Sequence, residues 1–298
     1  MNFRLPLALA LSAALLVSNA YAQDSDTLKK IKDSGTIQIG ARDSSIPFSY
    51  KLGSSSEPIG YSNDICLKIV DAIKAKLGMP ALRVQYTTLT STNRIPLMQN
   101  GTVDLDCATT TNSVARQQQV AFAPSHFVTN ISVAVKKSSG ITSLAELGGK
   151  TVATVTGSTS IQLLRALRKA DTVDVQEISG KDTADAFLLL ASDRAVAYVL
   201  DDVQLAGLIA TAPNPSDFVI LKDVVLRQEP YGIMLRKNDP QFQALVDQTL
   251  TQLMKSGEMA QIYAKWFTQP IPPSGVNLNF PMTDAVREIF KNPNNKGV

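Results

Sequence analysis

Residues 103–116 hold the densest set of groups able to do chemistry. Thr109, Thr110 and Thr111 follow a short stretch, 103–107, predicted as a strand, and a turn at Asn112 and Ser113 leads to Arg116 in the next helix. Hydroxyls, the free amides of a helix start and a guanidinium meeting at one strand end form a carboxylate receptor: the planar guanidinium pairs bidentately and the amides and hydroxyls take the remaining lone pairs. The plainer reading is a solvated surface arginine preceded by β-favouring threonines.

Asp201 is the natural counter-group. It follows the apolar run 195–200, and a carboxylate at the end of a buried strand needs a cation, here the ammonium of a ligand. Its other reading is an N-cap; Asp202 is equally placed, so one of the pair can cap while the other stays free. Arg42 and Arg94 also follow polar turns near predicted strand ends. Three guanidiniums set against Asp201 match a ligand with two carboxylates and one ammonium, although each arginine taken alone reads as a surface residue.

Several chemistries are excluded. His126 is the sole histidine, which rules against His-based triads and H-E-x-x-H metal sites, and it is read as a loop residue at a lobe edge. No G-x-G-x-x-G occurs. Gly149-Lys150-Thr151 resembles the end of a phosphate loop, but no glycine stands five residues before Lys150, so it is a turn into a strand. Neither cofactor nor metal is expected. With 29 Lys and Arg scattered against 26 Asp and Glu, no nucleic-acid footprint arises, and the net charge of +3 fits an anionic small ligand only weakly.

The elements that must position these residues alternate. Strands are predicted over 36–40, 83–88, 131–135, 151–155, 173–178 and 195–200, with helices over 27–34, 62–77, 160–169 and from Thr183 through 190. That alternation predicts an α/β protein with mainly parallel sheets covered on both faces. Ligands of such sheets bind beyond the strands' carboxyl ends, so Arg42, Thr109–Thr111, 156–159, Thr183 and Asp201 face a crevice between two lobes. Residues 231–235 read as a return strand, followed by helices over 241–255 and 258–266, with Trp266 as core or lobe packing, and a short helix in the tail.

At 298 residues and 44% hydrophobic, the chain is large enough for two cores. Residues 1–22 read as an export signal: Arg4, an apolar stretch 5–17 too short to span a bilayer, and Ala20-Tyr21-Ala22 as the cleavage site. No later run of about 18 apolar residues follows, so a soluble protein beyond the inner membrane is expected, periplasmic in a Gram-negative cell. Cys66 and Cys107 then meet a disulfide-permissive compartment, and their spacing leaves a bridge or two buried thiols equally open.

With these residues set out, the chain resembles the periplasmic glutamate/aspartate-binding proteins, solute-binding components of ABC amino-acid importers. The likeness runs through Arg42-Asp43-Ser44-Ser45-Ile46-Pro47-Phe48, Gly60-Tyr61-Ser62, Asn93-Arg94-Ile95-Pro96-Leu97, Thr110-Thr111-Asn112, Asp201-Asp202, and Lys265-Trp266-Phe267 with Pro270-Ile271-Pro272-Pro273. It implies the type II periplasmic binding protein fold, two α/β lobes with a central cleft and two hinge crossovers: 27–131 plus 233–298 as one lobe, 132–232 as the other. It also implies a monomer that captures glutamate or aspartate and hands it to an inner-membrane permease. In that family the arginine matching Arg116 and the hydroxyls matching Thr109 and Thr111 hold the α-carboxylate, and the aspartate matching Asp201 takes the ammonium. Those matching Arg42, Ser91 and Arg94 face the side-chain carboxylate, and the one matching Thr159 contributes from the second lobe.

Three departures from the family pattern touch specificity. Thr183 stands where a histidine is usual, Ala108-Thr109 replaces Gly-Ser, and Asn130-Ile131-Ser132 replaces Gly-Thr-Arg near the crossover. Retention of Arg42 and Arg94 favours a carboxylate side chain, with another polar amino acid as the alternative. The enzyme alternative, a dehydratase on the same fold, needs a poised acid, and Asp201 beside an ammonium stays ionised.

Overall fold

Strands gather into two separate sheets in the computed structural model, which describes residues 26–298; the export signal lies outside the described residues. In chain order come α1 (Thr27–Ser34), β1 (Thr36–Ala41), the hairpin β2 (Ser44–Ser45) and β3 (Ser49–Tyr50), α2 (Tyr61–Leu77), β4 (Arg83–Thr88), α3 (Arg94–Gln99), β5 (Leu105–Asp106), α4 (Val114–Gln117) and β6 (Ala121–Phe122). β7 (Phe127–Lys136) carries the chain into the second sheet. There β8 (Thr151–Val155), α5 (Thr159–Lys169), β9 (Gln176–Gly180), α6 (Thr183–Ala191), β10 (Ala197–Asp201), α7 (Asp202–Ala210), β11 (Phe218–Ile220) and β12 (Arg227–Tyr231) follow. β13 (Met234–Leu235) returns to the first sheet, and α8 (Pro240–Ser256), α9 (Glu258–Phe267) and α10 (Asp284–Lys291) close the chain.

Local chemistry sets many of these ends. Asp26 accepts from Lys29 N to cap α1, which stops at Gly35 in left-handed backbone; Asp239 caps α8 ahead of Pro240. Along β7, Ile131, Val133 and Val135 join one apolar cluster while Ala134 joins the cluster on the opposite face. β8 and β10 alternate likewise, with Val152 opposed to Ala153, and Val199 to Tyr198 and Leu200. A strand buried on both faces is mostly apolar, and these runs keep only single buried hydroxyls such as Ser132 and Thr154.

The first sheet runs β4-β1-β5-β13-β6, with β1 parallel to β4 and β5 and β13 antiparallel to both its neighbours. In the second, β10 lies parallel to β8 and β8 to β9, but antiparallel to β7, whose other edge pairs with β11 at one end and β12 at the other. The sheets are therefore mixed rather than mainly parallel. The reason is the passage between them: β7 enters and β12 leaves side by side in opposite directions, so each sheet accepts at least one reversed strand. Phe127 pairs with Tyr231 in that register, and its ring stacks on Phe267 and Tyr263 in the large core of the first sheet. The two crossing strands are thus anchored side by side at their base.

Cys66 on α2 and Cys107, one residue past β5, form a disulfide. It ties the helix to the strand end that presents Ala108–Thr111. Among the described residues no helix is long and apolar enough to cross a membrane.

Candidate ligand-binding site

A small cavity lies between the two sheets. From the first sheet it is lined by Arg42, one residue past β1, by Ser91 and Arg94 beyond β4, and by Thr109 and Thr111 beyond β5. From the second come Val155, Ser158 and Thr159 beyond β8, Thr183 at the start of α6, and Leu200, Asp201 and Gln204 where β10 passes into α7. All the polar side chains sit at carboxyl ends of strands or the helix starts just beyond them, as the topology requires. Eight of the nine side chains expected from the sequence line the cavity together.

Arg116 does not line it. It lies buried behind Thr111, donating from Nη1 to the Thr111 carbonyl at 2.9 Å. The helix carrying it is a single turn, and two of its first amides are already used: Ser113 Oγ accepts from Arg116 N, and Val298 O accepts from Val114 N at 3.0 Å. The expectation of free helix-start amides therefore fails, because the tail folds back over this turn. Asn112 and Gln117 also donate to the Asn295 carbonyl.

The arginines are short of counter-charge. Burial, then the neighbouring Arg94, pushes the Arg42 guanidinium down to about 10 and that of Arg116 to about 9; burial lowers Arg94 as well. All remain cationic at neutral pH. Arg94 Nη1 donates to Thr110 Oγ1 at 2.6 Å, and Thr110 in turn donates to Asp106 Oδ2 at 2.5 Å. Arg94 Nε and Arg42 Nη2 are buried with no hydrogen-bond partner among the described residues, donors that a ligand carboxylate would satisfy.

Asp201 and Asp202 divide their work. Asp202 Oδ1 accepts from Val203 N, Thr129 Oγ1 and Asn130 N, tying α7 to β7 through Asn130, one of the departures from the family pattern. Asp201 makes no cap; its Oδ2 accepts from Gln204 at 2.9 Å while Oδ1 is buried without a partner. Burial and the Glu229 carboxylate push its carboxyl upward, the expected cost of a buried anion lacking a cation.

Thr183 donates to the Ser44 carbonyl at 3.0 Å, so the residue replacing the usual histidine clasps the β2–β3 hairpin against α6. Two charged residues escaped sequence reasoning, Asp106 and Glu229, both fully buried. Neither carried a local signal: β5 is Leu105-Asp106 and β12 is Arg-Gln-Glu-Pro-Tyr, and only the fold shows that their carboxylates are buried and must find partners. Glu229, on β12, is held by Arg227 on Oε1 and accepts on Oε2 from Thr111 at 2.6 Å and Thr159 at 2.7 Å. His126 proves fully buried rather than at an edge, its Nε2 3.2 Å from Ser62 Oγ.

The family model of bacterial extracellular solute-binding proteins, family 3, matches residues 37–269. The chain belongs to that family. The resemblance read from its motifs is borne out by its relatives: it is 45% identical over 291 residues to the L-glutamate/L-aspartate-binding protein of Pseudomonas aeruginosa, covering 97% of this chain and 96% of that one. It is 44% identical over 293 residues to the glutamate/aspartate import solute-binding protein of Escherichia coli K12, covering 98% and 96%. Among solved structures, a mutant of ArgBP from T. maritima superposes with a TM-score of 0.70 at 26% identity, over 81% of this chain and 99% of that one. The fold is that of the type II periplasmic binding proteins.

Proposed function

We infer that this solute-binding protein captures an acidic L-amino acid, glutamate or aspartate, in the bacterial periplasm and delivers it as a monomer to the inner-membrane permease of an ABC importer, making and breaking no bond. One observation carries the ligand class. Arg227 offsets Glu229, which leaves three buried guanidiniums against Asp106 and Asp201. The surplus positive charge is the complement of an amino acid with two carboxylates and one ammonium. The names of the relatives from Pseudomonas aeruginosa and Escherichia coli support the same ligands.

In this reading residues 1–22 are removed after Ala22, 27–131 with 233–298 form one lobe and 132–232 the other, and the lobes close about the paired strands β7 and β12. The ammonium meets Asp201, one carboxylate meets Arg94 and Arg42, and Arg116 acts from behind Thr111. Micromolar binding needs about −8 kcal/mol, within reach of several charge-assisted hydrogen bonds at roughly 1.5–3 kcal/mol each before ordering costs. A thermal-shift screen of the twenty amino acids tests it, since a ligand of the native state raises the melting temperature. Glutamate and aspartate should give the largest shifts; a response confined to neutral or basic amino acids would rule out the acidic ligand.

A further inference from the structure

Glu229 has no place in the ligand set above, yet it touches two members of it. It is fully buried on β12 and does not line the cavity. Thr111, from beyond β5, and Thr159, from the start of α5, both give their hydroxyl protons to its Oε2, at 2.6 and 2.7 Å. Arg227 Nε donates to Oε1 at 2.9 Å, joined by Nη2 of the same guanidinium. A carboxylate can only accept, and a hydroxyl has one proton and two lone pairs. With their protons committed to Glu229, both threonines turn only lone pairs toward the cavity.

We propose that Glu229 is a specificity-determining positioning residue: by taking the hydroxyl protons of Thr111 and Thr159 it makes both threonines acceptors toward the cavity, and so selects ligands bearing an ammonium. The inference rests on the amino-acid reading of the site and deepens it. Asp201 lines the same cavity, and its Oδ1 has no hydrogen-bond partner among the described residues. Together the three oxygens supply as many acceptors as an ammonium has N–H donors. It reassigns Thr111, whose hydroxyl was expected to donate to the α-carboxylate; in this arrangement the carboxylates are left to Arg42, Arg94, Ser91 and Thr109.

Arg227 makes the idea testable. In Glu229→Gln the guanidinium holds the amide oxygen, since its donors cannot face an NH₂ group, and so turns the amide NH₂ toward the threonines. Their hydroxyls must then accept from the amide and point protons into the cavity. Calorimetry with L-glutamate and with glutarate, the same dicarboxylate without the amino group, reads the effect. The parent should prefer glutamate strongly, and in Glu229→Gln that preference should fall about tenfold or more, through loss of glutamate affinity with glutarate unchanged or tighter. The near-isosteric Thr111→Val removes one acceptor and one of the hydroxyl bonds to Glu229 while leaving that carboxylate held by Arg227 and Thr159, and should lower the preference about tenfold even if Glu229→Gln does not fold. A parental glutamate-to-glutarate ratio in Thr111→Val, or in folded Glu229→Gln, would overturn the proposal. A parent that binds some other amino acid would instead refute the acidic-ligand reading, and the same ratio, measured with that amino acid and its des-amino acid, would still decide the role of Glu229.

Discussion

Arg94 and His126 are both buried, and each shows what burial demands of a polar side chain. Arg94 reaches Asp106 only through Thr110 and keeps Nε for the cavity. Arg94→Ala should therefore weaken acidic amino-acid binding by roughly 2–5 kcal/mol, because a buried ligand carboxylate then loses one of its two guanidinium partners; calorimetry measures it, and parental affinity would remove Arg94 from the site. His126 has no carboxylate to hold a proton, and burial lowers its pKa to about 3. The unfolded chain takes up that proton near pH 6.5 and the native state does not, so stability is full above pH 6.5 and falls as the pH drops toward 3. Between pH 7 and 5 this costs about 2 kcal/mol. Urea unfolding should show the parent losing more stability over that interval than His126→Gln; parallel losses would mean that the imidazole titrates normally. The expected ligand residues were legible because strand-end position follows from local pattern. Asp106 and Glu229 were not, since their partners, Thr110 with Arg94 and Thr111 with Thr159, are brought to them by tertiary packing.

Elements were legible where one periodicity held and blurred where two sheets compete for one stretch. β4 and β8 begin and end as their residues suggest. Residues 231–235, read as one strand, divide: Tyr231 pairs with Phe127 in the second sheet and Met234 with Asp106 and Phe122 in the first. Gly232 sits at the break, where a Cβ would lie 3.0 Å from the Phe122 ring. β7 starts four residues before the apolar run that marked it, because pairing with β12 sustains Thr129 and Asn130 as strand. The disulfide acts on an element too. Its cysteines are 41 positions apart, and closing a loop of that size stabilises by about 4 kcal/mol through the unfolded chain. Cys66→Ser with Cys107→Ser should lower the urea midpoint accordingly. Ligand affinity in the folded state should change less than threefold if the bridge only staples α2 to the strand end, and a larger loss would show that it also sets the position of Thr109 and Thr111.

At the scale of the whole molecule, binding and closing are one equilibrium, and Gly207 separates them from folding. It lies inside α7, where alanine is favoured over glycine by about 1 kcal/mol, so Gly207→Ala should leave the stability of the ligand-free protein equal or slightly raised. In this structure, however, an added Cβ would stand 2.6 Å from the Ile46 carbonyl of the β2–β3 hairpin, a contact with backbone that cannot swing aside. On the proposed lobe division the hairpin belongs to one lobe and α7 to the other, so the clash is expected only when the lobes meet. Apparent affinity scales with the population of the binding-competent state, and the variant should bind glutamate at least tenfold more weakly while melting no lower than the parent without ligand. Small-angle scattering at saturating ligand should find it more expanded than the parent. Parental affinity together with parental compaction would mean that the hairpin yields, and that closure does not depend on the fit between Ile46 and Gly207.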